Sequence, residues 1–294
     1  MSLDDFLKDA WRDHGDDAQG VAHRLQSSTH LIQSGQDVTP YARLVTHVFG
    51  EHLWQEQQGL ALLAALQTLP AYDASPEVAG PLLRNMATLQ YAQGDALALA
   101  GLSDEDRVCA LAAASAMFLG RKDFNRAVQT MDAALVGAKR EWPAQSGANR
   151  ALAIAGNNLA AALEEKKDRT PRQTQAMLVA AQAGLTYWKL AGTWLEEERA
   201  EYRLARSWLQ MGESKHAVEA AQRCLLVCQH NDAPAFELFF ANAVLALACR
   251  AGGDATGFTA SRAAAAGECF DKVPEEDRIW CKGELEELGW NVAA

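Results

Sequence analysis

The chain has no uninterrupted apolar stretch of about 18 residues, and no charged start leading into an apolar run and a small-residue cleavage site. Neither a membrane-spanning helix nor an export leader is expected, and cytoplasmic residence is the default reading. Also missing are GxGxxG, GxxxxGK followed by Ser or Thr, HExxH, GxSxG and CxxC. Their absence removes the commonest nucleotide, zinc-protease, hydrolase and redox signatures, and the expectation is a protein that is not an enzyme and has no cofactor. Positive charge is short as well: 27 Lys and Arg stand against 38 Asp and Glu, a net charge of -11. A general nucleic-acid or anionic-membrane binder needs cationic surface to displace counterions, so neither kind of partner is expected. The six cysteines sit singly within apolar helical patterns, which fits reduced, buried thiols better than a disulfide framework.

What is present is apolar surface in helical register. Hydrophobic residues make up 49% of the 294 positions and charged residues 22%, enough for a substantial core under a soluble exterior. The clearest stretch runs from Glu198 to Cys228, where two apolar helical patterns flank a polar turn at Gly212, Glu213 and Ser214. Ala205, Trp208, Leu209 and Met211 fall on one stripe, and Ala217, Ala221, Cys224, Leu225 and Cys228 on the other. The small residues 205, 217, 221 and 224 let two backbones approach closely, with Trp208 expected to be buried in the gap.

This hairpin resembles a tetratricopeptide repeat, with Ala205 at the small site and Trp208 at the aromatic site of a first helix. Ala217, Ala221 and Cys224 then take the small, large and small sites of the second helix. The resemblance extends over most of residues 38 to 270 and is strongest at 108 to 140 and 198 to 228. Equivalent small sites are unevenly spaced, from 28 residues between Ala87 and Ser115 to 45 between Ala160 and Ala205. The resemblance therefore implies an all-α fold, an irregular α-solenoid of stacked antiparallel hairpins, forming a single helical-repeat domain over residues 1–294. Residues 1–35 and 274–294 would cap the array.

In chain order, Ser2 with Asp5 signals a helix carrying Phe6, Leu7, Ala10 and Trp11. A second helix is expected from Ala18 to Ser34 with Gly35 as its stop, and a third from Thr39 with Pro40 at its start. The first hairpin turns near Trp54. Pro76 and Pro81 open the next helix, Gly94 breaks it, and the segment 95–101 is too short for a full partner. Helices from Asp104 to Leu119 and Phe124 to about Lys139 follow, then Arg150 to Glu165 and Gln173 to Leu190. Ala235 to Arg250, an alanine-rich helix through Ala266, and a closing helix from Pro274 to Leu288 complete the chain.

Among chemistry-bearing residues, Arg199, Arg203 and Arg206 recur at four and three residues and form one basic stripe beside Tyr202. Like charges at that spacing cost a few tenths of a kcal/mol, about 0.2–0.5, so compensation must come from outside the helix. In the resembled family such first-helix positions line the inner groove. The resemblance thus carries Arg199, Tyr202, Arg203 and Arg206, with Asn157 and Asn158 before them and Phe239 and Asn242 after them, onto a binding surface. Arginine forks and amides suit an acidic or C-terminal carboxylate segment of a peptide or protein. The competing assignment pairs the arginines with Glu164 and Glu165.

Cys224, Cys228 and His230 read as helix packing, and His23, His30, His47 and His52 as solvated or capped, so no metal site is expected. The run Glu196, Glu197, Glu198 with Glu201 reads as favourable charge at a helix start, and Tyr187, Trp188 and Trp194 as packing between hairpins. The function these readings support is a protein-binding scaffold or adaptor without chemistry of its own. A ligand-responsive regulator acting through a partner is the alternative, an all-helical enzyme a third class, and a homo-oligomer through the Trp280 and Trp290 end remains open.

Overall fold

A computed structural model describes residues 1–138 and 142–290. It is all helical, with no strand among the described residues. Packing divides the chain into two compact units, Met1–Ala155 and Gly156–Ala294.

The first unit opens with α1 (Leu3–Asp13), started by a capping box in which Ser2 and Asp5 satisfy each other's backbone amides. Next comes α2 (Ala18–Ser27), which stops well short of Ser34. Its end is fixed by polar side chains that compete for the backbone: Ser27 donates to the His23 and Arg24 carbonyls, and His30 to that of Ser27. Gly35 then begins α3 (Gly35–Thr46), because Ser34 and Asp37 form another capping box. Gly35 is thus a start and not a stop, and Pro40 lies inside the helix and not at its first position.

The ladder of α3 continues into a π-helical segment, His47–His52. Trp54, at φ 57°, ends it near the expected turn and donates its indole N–H to the Glu51 carbonyl at 3.2 Å. Four more helices of this unit follow: α4 (Glu56–Leu66), α5 (Pro76–Ala92), α6 (Asp104–Gly120) and α7 (Phe124–Gly137). The segment after Gly94 is only a 3-10 turn, Ala96–Leu99, as its length implies. The expected limit of α7 near Lys139 lies outside the described residues. Phe6, Tyr41, Phe49, Leu63, Leu82 and Phe118 are fully buried here. A Cβ at Gly120 would meet the Glu51 carbonyl oxygen at 2.6 Å, so only glycine lets the end of α6 sit directly on the π segment.

In the second unit, the latter part of α8 (Gly147–Glu165) is followed by α9 (Pro171–Ala191), which starts with a Thr170–Gln173 capping box and Pro171 in its first turn. Then come α10 (Trp194–Gln210) and α11 (Ser214–His230), the hairpin legible in the sequence, turning at Gly212 with φ 76°. Ala205, Ala217, Ala220, Ala221 and Cys224 are completely buried in this unit, as their size and spacing require. Trp208 meets α11 but, contrary to expectation, is not fully enclosed there. It is half-buried and stacks on His216 at 4.6 Å, while Leu204 is buried on the same helix.

Helix α12 (Ala235–Ala251) packs on α11 and on α13 (Ala255–Ala263), which ends in a second π segment, Ala264–Cys269. The chain from Pro274 is a 3-10 stretch, Glu275–Cys281, leading into the short α14 (Lys282–Glu287), where one closing helix was expected. Leu285 and Leu288 anchor it in a core with Phe239, Leu247 and Phe270. No helix among the described residues is long and apolar enough to cross a membrane.

Candidate functional site

The arginine stripe of α10 is real, and every member has an acidic partner. Glu164 at the end of α8 binds two of them, Arg203 at 2.7 Å and the Arg206 Nε at 2.7 Å. Arg199 reaches Glu237 of α12 at 2.5 Å. Glu165, the second carboxylate proposed from the sequence, is exposed. The like-charge repulsion along α10 is therefore offset by carboxylates from other helices, with Glu164 and Glu237 both almost fully buried.

The stripe also holds a later segment of the same chain, residues 282–290. Arg206 makes a fork to Glu287, with Nη1 and Nη2 at 2.9 and 2.8 Å from its two oxygens. Tyr202 donates its hydroxyl to Glu284 at 2.5 Å. Burial raises the Tyr202 pKa well above its ordinary value and the Glu284 charge adds to this, so the phenol keeps the proton it donates. Beyond α14, Arg250 donates to the Glu287 carbonyl at 2.8 Å, and Arg262 donates to the carbonyls of Leu288 and Gly289, each at 2.8 Å. The guanidinium of Arg262 lies 4.8 Å from the Trp290 ring centre. Residues 282–290 thus dock as one amphipathic turn: Glu284 and Glu287 meet α10, and Leu285 and Leu288, one position on from each, enter the core.

The other sequence-derived site residues divide. Asn157 is half-buried and Asn158 exposed. Asn242 is almost buried and donates to the Leu238 carbonyl of its own helix at 2.8 Å. Phe239 is no part of a surface, because it is fully buried against Phe240 and Phe270. Its place on the apolar face of α12 was readable as core, and the register taken from the repeat put it on the wrong side.

The acidic run also behaves differently from a solvated helix start. Glu196 caps α10 with Thr193 as expected, but Glu198 and Glu201 are buried. Glu201 accepts a two-pronged bond from Arg223, both contacts at 2.9 Å, and a contact from Lys189. Glu198 accepts from the Cys224 thiol at 3.3 Å. Burial, aided by the charge of Glu237, pushes its pKa up to about 8.

A second group of titratable side chains lies in the first unit. The ligand atoms of His14, His47 and His52 all fall within 4.8 Å of one another, the one such trio among the described residues. The ordinary helical repeat conceals this trio, because residues five apart face different sides of an α-helix and His14 lies beyond α1. No protein-family model matches the chain, and no curated protein matches it in sequence.

Proposed function

We propose that the second unit is a helical-repeat adaptor whose α10 surface holds an acidic protein segment, and that residues 282–290 are its resident occupant. The observation that carries this reading is the docking of Glu284 and Glu287 on Tyr202 and Arg206. That is the arginine-and-carboxylate recognition inferred for a partner, met here within one chain. A partner segment with carboxylates three residues apart and leucines beside them would compete for the same groups, and an irregular solenoid of stacked hairpins would supply the surface. Such an exchange also fits a regulator that acts through a partner, since release of residues 282–290 is then the switch.

A labelled peptide of the sequence 282–290 tests this against three full-length proteins. The parent chain should bind it weakly, because the site is filled. Glu284→Lys combined with Glu287→Lys sets two ammonium groups against Arg206 and should open the site to the peptide, with affinity falling as salt rises. Arg203→Ala with Arg206→Ala on that background should abolish binding. Binding by none of the three overturns the proposal, as does binding that ignores the arginine changes.

A further inference from the structure

The histidine trio of the first unit has the features of a built metal site. His47 and His52 belong to the π segment, and this is what brings them together. In an α-helix, residues five apart point about 140° away from each other at 3.6 residues per turn, whereas i to i+5 hydrogen bonding makes five residues close to one turn. The two Nε2 atoms are consequently 3.1 Å apart. The donors on one tetrahedral zinc ion, with Zn–N of ~2.0–2.1 Å, are about 3.3 Å apart.

Tautomers follow from the outer partners. The Nδ1 of His14 lies 2.6 Å from the Trp11 carbonyl, which can only accept, so the proton is on Nδ1 and Nε2 carries a lone pair. The Nδ1 of His47 lies 2.9 Å from Glu51 Oε2, which again places the proton on Nδ1 and leaves Nε2 as donor. A carboxylate and a backbone carbonyl behind two imidazoles are the usual second layer of a metal centre.

The surroundings fix this layer. Gly120 admits α6 onto the Glu51 carbonyl, Trp54 donates to the same oxygen, and Trp11 packs 4.9 Å from the His47 ring. All three histidines are half-buried, each keeping part of its surface exposed. The 3.1 Å approach of the His47 and His52 nitrogens can be met by one bridging proton. A divalent cation can meet it as well, and can accept from His14, whose ligand atom is within 4.8 Å of theirs.

We propose that His14, His47 and His52 bind a borderline transition-metal ion of the Zn²⁺ class, with Glu51 as the positioning carboxylate behind His47 and a fourth coordination position left for water or a ligand. Imidazole donors suit zinc, nickel, copper and cobalt over calcium or magnesium. The inference is independent of the acidic-segment reading, which concerns the other unit.

Titration of the chelator-treated full chain with Zn²⁺ by calorimetry tests it. One equivalent should bind, and the melting temperature should rise with added Zn²⁺. His14→Gln, His47→Gln and His52→Gln should each weaken binding by at least ~10-fold, and Glu51→Gln by ~10–100-fold. His23→Gln and His30→Gln, both at exposed histidines, should leave affinity unchanged. If a trio variant folds poorly, the Co²⁺ form of the parent chain serves instead, since a four-coordinate nitrogen-bound ion has an intense visible spectrum and a hexa-aquo-like ion does not. No saturable one-equivalent binding would overturn the proposal. Binding unchanged in His47→Gln with His52→Gln, or a Co²⁺ spectrum of the hydrated ion, would do the same.

Discussion

At the scale of single residues, the balance of charge in the second unit rests on Glu164. It alone faces both Arg203 and Arg206, so Glu164→Ala should destabilise the fold toward the ~3–5 kcal/mol seen when one partner of a buried pair is removed. Glu165→Ala, one position on and exposed, should stay within ~0.5 kcal/mol. Equal losses in denaturant titrations of the two variants would show that the pairing is not as described. Glu198 makes a pH prediction. Its folded-state pKa is raised from 4.5 to about 8 by burial and by Glu237, so between those values the folded chain keeps a proton that the unfolded chain has released. The associated stability is complete below about pH 4.5 and is lost as pH rises through 8, with a slope of up to ~1.4 kcal/mol per pH unit for one proton. Glu198→Gln should flatten this decline in Tm-against-pH curves, and an unchanged slope would contradict the assignment.

Helices are where the sequence was most informative, and the reasons are local. The α10–α11 hairpin was legible because Gly212 marks the turn and small residues recur at Ala205, Ala217, Ala221 and Cys224, all of which are fully buried. Capping residues fixed other starts, Ser2 and Ser103 among them. Periodicity assumes 3.6 residues per turn, however, so it could not foresee the π segment His47–His52 or the histidine trio that segment assembles. The stripe at Arg199, Arg203 and Arg206 was visible for the opposite reason, since it obeys the ordinary helical repeat. Its partners Glu237, Glu284 and Glu287 are 38 to 82 residues distant from the groups they meet, and pairing at that range leaves no pattern in the sequence. Two substitutions test the hairpin as an element. Ala221→Leu should cost ~1–3 kcal/mol, because a fully buried small site cannot take three more heavy atoms without strain. Trp208→Ala should cost less than the ~3–5 kcal/mol of a fully buried aromatic, since the residue is only partly buried and its ring rests on His216. A loss of the full ~3–5 kcal/mol for Trp208→Ala would show that the indole is enclosed between the helices.

For the molecule as a whole, the sequence excludes more than it selects: a net charge of -11 disfavours polyanionic partners, yet in the second unit Arg206, Arg250 and Arg262 converge on residues 282–290. Local cationic surface in an acidic protein is suited to holding an acidic segment, and here it already holds one. The claim that this segment is exchangeable is the centre of the account, and hydrogen exchange tests it most directly. With a saturating excess of peptide 282–290 added to the parent chain, the amides of residues 282–290 in the protein should lose protection while those of Ser214–His230 do not change. Undiminished protection of residues 282–290 at saturation would mean that they are a permanent part of the core and not an occupant of a site.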